Sequence, residues 1–241
     1  MREAAAHWAI GAMASEGTAQ EEALRQRALA TLQREMRACD LCVAAGYIPS
    51  AHPIFQGHAG QRLMVIGQAP GPTAAQRRVP YSGATGKTLQ AWLSRAGFAA
   101  GALHRDFYLT SLTKCFPGPA TSGKGDRLPS AAEVALCARH LEREITLVQP
   151  DIVLALGRLS ITRLDPGARR LPLSEVVGTM RPVSYAGHDF LLVPLPHPSG
   201  VSRWLNAPEN RERLETGLTL LRQHVCDGLP SGYVEPGPAP A

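Results

Sequence analysis

Four short apolar runs, each ending in a turn, constrain this chain more than any other feature. RLMVIG (62–67), FYLTSLT (107–113), DIVLALG (151–157) and FLLVPL (190–195) are too short for typical helices and too continuously apolar for strands with one wet face. They read as strands buried on both sides. Helical patterns lie between them. GKTLQAWLSRAG predicts a helix from about Lys87 to Ala96, closed by Gly97. SAAEVALCARHLEREITLVQ predicts a longer one, opened by Ser130 with Glu133 completing a capping box. This alternation predicts an α/β fold, a three-layer α/β/α sandwich around a central, mainly parallel sheet of these four strands. In such folds the ligand site lies beyond the carboxyl ends of the strands. GQAPG (67–71), the segment after TSLTK, and PLPHPSG (194–200) all fall there.

Two more helices flank this core. TAQEEALRQRALATLQREMRA places Leu24, Ala28, Leu32 and Met36 at helical spacing, and a last helix is expected from Pro208 to about Val225. DGLPSGYVEPGPAPA is rich in Pro and Gly without periodicity. The expected layout is a flexible N-terminus over 1–17, one domain over 18–226 and a disordered tail over 227–241. PGPATSGKGDRLP (117–129) and DPGARRLPLSE (165–175) read as loops, and no internal repeat is present. With 241 residues, 44% of them hydrophobic, the chain can bury a continuous core. Its net charge of +5 suits a polyanionic partner but does not require one. No apolar run approaches the roughly 20 residues that span a bilayer, so a cytoplasmic monomer without membrane contact is expected.

Five cysteines, Cys39, Cys42, Cys115, Cys137 and Cys226, suit a secreted disulfide framework poorly. CDLC (39–42) is the commonest local arrangement for two thiolates on one metal ion or cluster. Cys115 ends the second strand region and Cys137 lies in the helix after the 117–129 loop, which can bring both back to CDLC. Zinc, an iron-sulfur cluster and buried structural thiols all remain open on spacing alone. Cys226 has no evident partner.

GATGKT (83–88) imitates the end of a nucleotide-binding loop. The imitation fails, because Tyr81 stands where another glycine is required and the preceding strand has already ended at Gly67.

Taken in order, CDLC, PIFQGHAGQRLMVIGQAPG, VPYSGATGKTLQAWLSRAG, YLTSLTKCFP, CARHLEREITLVQPDIVLALG and PLPHPSG make the chain resemble the uracil-DNA glycosylase superfamily, in particular its iron-sulfur branches, over about residues 39–222. The resemblance implies a DNA repair enzyme that extrudes a deaminated base, uracil first, and hydrolyses its N-glycosidic bond. It implies a [4Fe-4S] cluster held by Cys39, Cys42, Cys115 and Cys137. It makes Gly67, Gln68, Ala69, Pro70 and Gly71 one wall of the base pocket and the HPSG loop the other.

The residue chemistry agrees with those roles. An extruded base loses stacking that an aromatic face can partly restore, and Tyr81 stands where the iron-sulfur branch has a stacking Phe. Bond cleavage leaves negative charge on the departing base, so a donor such as His197 lowers the barrier even when neutral. Ser82, Gly83, Lys87, Pro198, Ser199, Gly200 and Arg203 are the expected DNA contacts. Arg77, Arg78, Lys114, Lys124 and Arg127 are further phosphate candidates.

Two departures stand out. Water attack on the sugar benefits from a carboxylate, yet Gln68 and Ala69 occupy the places where related branches carry Glu or Asp, and no acidic residue occurs from Gly67 through Arg105. Ser111 stands where the iron-sulfur branch has an Asn that recognises the uracil edge. Three outcomes follow: a glycosylase relying on His197 with neutral positioning of water by Gln68 or by backbone carbonyls, a pocket that acts on a different base with hydrolysis assisted by a carboxylate from another loop such as Asp126, or a module that binds lesions without cleaving.

Overall fold

The structure, a computed structural model, describes residues 17–122, 125–200 and 203–228. Most of the expected flexible N-terminus and tail, together with Lys124, lies outside these residues, as does the side chain of Cys226. The chain begins with α1 (Gly17–Arg37) and a short α2 (Leu41–Ala44). Then come β1 (Leu63–Gly67), α3 (Pro72–Arg77), α4 (Ala84–Arg95), α5 (Ala102–Asp106) and β2 (Phe107–Ser111). α6 (Ala131–Val148), β3 (Ile152–Leu156) and α7 (Gly157–Leu164) follow, then α8 (Leu173–Val176), β4 (Arg181–Tyr185), β5 (His188–Leu195) and α9 (Pro208–Gly228).

The sheet has five strands in the order β2-β1-β3-β5-β4. The first four are parallel neighbours, as expected, and β4 adds an antiparallel edge that the sequence reading left out. Its omission has a physical reason. RPVSY is only half-buried, and Pro182 is tolerated because β4 lies at an edge. Its hairpin turns on Ala186 and Gly187, both at positive φ, instead of the usual Asn-Gly. The segment 165–175, expected to be loop, contains a 3-10 helix over Pro166–Arg170 as well as α8. Asp165 accepts a bond from Gly167 N–H at 3.0 Å, and Ala168 is fully buried.

Alternating strand residues divide the core into two layers. Met64, Ile66, Tyr108, Val153 and Leu192 face a cluster with Leu29, Leu32 and Met36 of α1, Leu141 and Ile145 of α6, and Ile161 of α7. Leu63, Val65, Phe107, Leu109, Leu154 and Val193 face Leu89 and Leu93 of α4, Leu103 of α5 and Leu218 of α9. The expected capping box is present: Ser130 Oγ accepts from Glu133 N–H while Glu133 accepts from Ser130 N–H at 2.8 Å. Among the described residues no helix is long and apolar enough to cross a membrane.

A buried charge pair fastens α6 to the end of β2. Lys114 Nζ lies 2.7 Å from Glu144 Oε2, and Glu144 also accepts from Tyr108 Oη and Thr110 Oγ1 at 3.0 Å. Removing one partner of such a pair leaves the other charge buried and uncompensated. Lys114→Met is therefore expected to lower unfolding free energy by roughly 3–5 kcal/mol in a urea titration.

Candidate active site

The strand order reverses direction at β1, with β2 on one side and β3 on the other. At such a switch point the loops leaving the strands part and open a crevice. Here the crevice is a cavity of about 490 Å³ lined by the ends of β1 and β2, the end of β3, and the segment after β5. That size is ordinary for a small-ligand site. Gly67, Gln68, Ala69, Pro70, Gly71, Tyr81, Ser111 and His197, all expected on its walls, do line it.

Gly157 allows two of these walls to meet. Its φ is +81°, and a Cβ added there would lie 2.4 Å from Gln68 Nε2 and 3.2 Å from His197 Cβ. Gln68 and His197 are therefore brought together over bare backbone. The sequence reading did not select Gly157, although its place directly after the apolar run IVLAL was the available clue.

At the deep end, Ser111 is paired with Gly67 in the parallel register and is 6% exposed. Tyr81 sends its hydroxyl to the same spot: a Cβ on Gly67 would lie 2.6 Å from Tyr81 Oη and 3.3 Å from Ser111 Oγ. Burial pushes the Tyr81 hydroxyl far above its ordinary pKa, so it stays protonated. The Tyr81 backbone is left-handed, with φ +53°, an uncommon conformation for a residue with a side chain. Its carbonyl is accommodated by Gly86, where a Cβ would fall 1.6 Å from Tyr81 O. The second glycine of GATGKT is thus a packing residue for the cavity wall.

His197 sits between Pro196 and Pro198 just beyond β5, and its ring has no hydrogen-bond or ion-pair partner among the described residues. Burial lowers its pKa, so at neutral pH it is an uncharged imidazole that can donate from one nitrogen.

The expected DNA contacts divide. Gly83 and Ser199 line the cavity, and Gly200, Lys87 and Arg203 are exposed. Pro198 is buried and Ser82 is half-buried with its hydroxyl inside, without a partner among the described residues. Two phosphate candidates are committed elsewhere. Lys114 is buried on Glu144, and Arg127 makes a two-pronged pair with Glu133, both bonds 2.7 Å.

Cys39, Cys42, Cys115 and Cys137 line a second, smaller cavity, where CDLC at the α1–α2 turn meets the end of β2 and the first half of α6. Burial pushes Cys42 up to about 11 and Cys115 up to about 12, and raises Cys137. Two polar side chains beside them are orphaned: both ring nitrogens of His140 and Thr113 Oγ1 are buried without a partner among the described residues. Four thiols gathered on one cavity, beside polar side chains left without partners among the described residues, are a donor set of the kind that takes a metal ion or a sulfur-ligated cluster.

A doubly covered, mainly parallel sheet with its cavity at the switch point, walled by GQAPG and HPSG, defines an α/β protein with a small-ligand pocket. Residues 54–218 match the family described as the uracil DNA glycosylase superfamily, and the chain belongs to it. A type-4 uracil-DNA glycosylase of Pyrobaculum aerophilum is 30% identical over 177 residues, 73% of this chain and 85% of that one. The type-4 enzyme of Saccharolobus solfataricus is 28% identical over 191 residues, 78% and 82% of the two chains. That of Archaeoglobus fulgidus is 26% identical over 189 residues, 76% and 86%.

The electrostatics of His197 can be read directly. A histidine kept neutral by burial binds fewer protons folded than unfolded as pH drops below the ordinary value of 6.5. Its contribution to stability is present above that pH and is lost as pH falls below it. In an NMR titration the His197 ring resonance is expected to show a midpoint below 6.5, and His197→Gln should flatten the decline in stability.

Proposed function

We propose that this protein is a DNA repair glycosylase that takes uracil, extruded from DNA, into the cavity at the switch point and hydrolyses its N-glycosidic bond. The observation that carries this reading is the meeting of GQAPG and HPSG across one cavity with His197 uncharged on its wall. The names of the type-4 relatives support the choice of uracil and of DNA.

In this reading the base enters toward Ser111 and Tyr81. Two hydroxyls sit at that end: that of Tyr81 donates to Thr110 O at 3.4 Å and can still accept, and that of Ser111 can donate or accept, so together they can meet both the N–H and the carbonyl of a uracil edge. The Tyr81 ring supplies apolar surface that offsets lost stacking. As the bond to the sugar breaks, the electron pair leaves with the base, and His197 donates to the oxygen where that charge collects. Gln68, packed beside it over Gly157, holds base or water but is too weak a base to take a proton. The exposed Lys87 and Arg203, with Ser199 and Gly200, contact the flanking phosphates, and the net charge of +5 favours the encounter.

Cys39, Cys42, Cys115 and Cys137 are assigned to a [4Fe-4S] cluster. When bound, the cluster would cross-link the α1–α2 turn, the end of β2 and α6, next to Lys114. A brown preparation with broad absorbance near about 400 nm, lost in Cys42→Ser, is the expected result; colourless protein with stoichiometric zinc contradicts it.

The activity is tested by base release from single- and double-stranded DNA at enzyme excess, with uracil, hypoxanthine and xanthine as targets. Uracil release is expected, and His197→Ala should slow it by roughly 100- to 1000-fold, the cost of one lost donor to an oxyanion. Binding of all three without release of any would make the protein a lesion-binding module instead.

A further inference from the structure

The GQAPG turn lacks a carboxylate, but the cavity does not. Asp126, from the loop before α6, lines it on the side of Gly71. A Cβ built on Gly71 would lie 3.5 Å from Asp126 Oδ2, so the carboxylate stands directly over the turn. Ser111 and the Tyr81 hydroxyl occupy the deep end, whereas Asp126 is exposed at the mouth. A base inserted toward Ser111 leaves its sugar carbon nearer the mouth.

The position is built. Arg127, the next residue, is clamped by Glu133 through two bonds of 2.7 Å and donates to Tyr47 O at 3.1 Å. Glu133 is itself the capping-box residue of α6, and the Arg127 guanidinium beside it holds its carboxyl down at about 2. Backbone bonds from Arg127 N to Gly118 O, 3.1 Å, and from Ala120 N to Gly125 O, 3.0 Å, close the loop on both sides of Asp126. Asp126 has no ion pair or hydrogen bond among the described residues, because its basic neighbour is turned the other way. A carboxylate recruited to cap α3 would accept N–H bonds and sit below its ordinary pKa. Asp126 accepts none, and the partial loss of water where it faces the turn raises its pKa instead.

We infer that Asp126 is the general base for the hydrolysis, a catalytic residue that replaces the carboxylate missing from GQAPG. The inference rests on the glycosylase reading above. As the bond between sugar and base breaks, its electron pair leaves with uracil toward His197. The oxygen of a water at the mouth bonds to the sugar's anomeric carbon, and one water proton passes to the Asp126 carboxylate. The uracil anion then takes a proton from solvent, which leaves free uracil and an abasic sugar.

The test is single-turnover uracil release by the full chain under saturating enzyme, with DNA affinity measured in parallel. Asp126→Asn is expected to slow release at least about 100-fold, with DNA affinity unchanged or tighter because a negative charge has gone. Asp126→Glu should recover part of the rate. The wild-type rate should fall toward low pH with a midpoint above the ordinary Asp value of 3.8, and that limb should vanish in Asp126→Asn. Release by Asp126→Asn within about threefold of wild type overturns the assignment and leaves the glycosylase reading intact. A loss matched by equally weaker DNA binding, or by a lower melting temperature, also overturns it. Wild-type protein that releases no base brings down both.

Discussion

Lys114 and Glu144, with side chains 2% and 0% exposed, meet at 2.7 Å between the cysteine cavity and the base-sized one. Glu144 reaches across from α6 to take bonds from Tyr108 and Thr110 of β2, and Lys114 also donates to the carbonyl of Ser111. Tyr108, Thr110 and Ser111 of β2 are thereby tied to α6 and Lys114. These bonds, with the pairing of Ser111 to Gly67, hold the backbone from which the Ser111 hydroxyl reaches the deep end. Both partners of the pair make further bonds in this dry interior, the condition under which a buried pair repays its desolvation.

The cysteine region reaches the cavity along a second line as well. Glu133 lines the cysteine cavity, caps α6 and grips Arg127, and Arg127 is followed back along the chain by Asp126 at the mouth of the base pocket. One line runs from Cys115 through Lys114 to the deep end, and the other from Glu133 through Arg127 to the mouth. Both lines start beside the thiols, one at Cys115 after β2 and the other on α6, which carries Cys137.

Legibility in the sequence followed the range of the forces involved. β1, β2, β3 and β5 were readable because double burial leaves a continuous apolar run, and the start of α6 because Ser130 and Glu133 are three residues apart. β4 was not, since an edge strand with Pro182 and an Ala-Gly turn lacks both signatures. GQAPG and HPSG were recognisable as turns at strand ends, yet Gly157, which allows Gln68 and His197 to pack together, looked like one more terminal glycine. Lys114 and Arg127 were offered as phosphate contacts, but Glu144 and Glu133 hold them. Glu144 is 30 residues from the first, and no local pattern marks that partnership.

Moving the carboxylate from the turn to the facing loop also suits the electrostatics of His197. Gln68 and His197 share the space over Gly157. A Glu at position 68 would bring negative charge against the imidazole and favour its protonated form. The amide leaves His197 under the influence of burial alone, which keeps it neutral. Asp126 stands over Gly71, on the far side of Ala69 and Pro70, where in the proposed reaction its charge would act on the sugar and the attacking water. In the proposed reaction the pocket separates the donor that meets the leaving base from the acceptor that meets the water, and the glutamine in GQAPG keeps a negative charge away from the first.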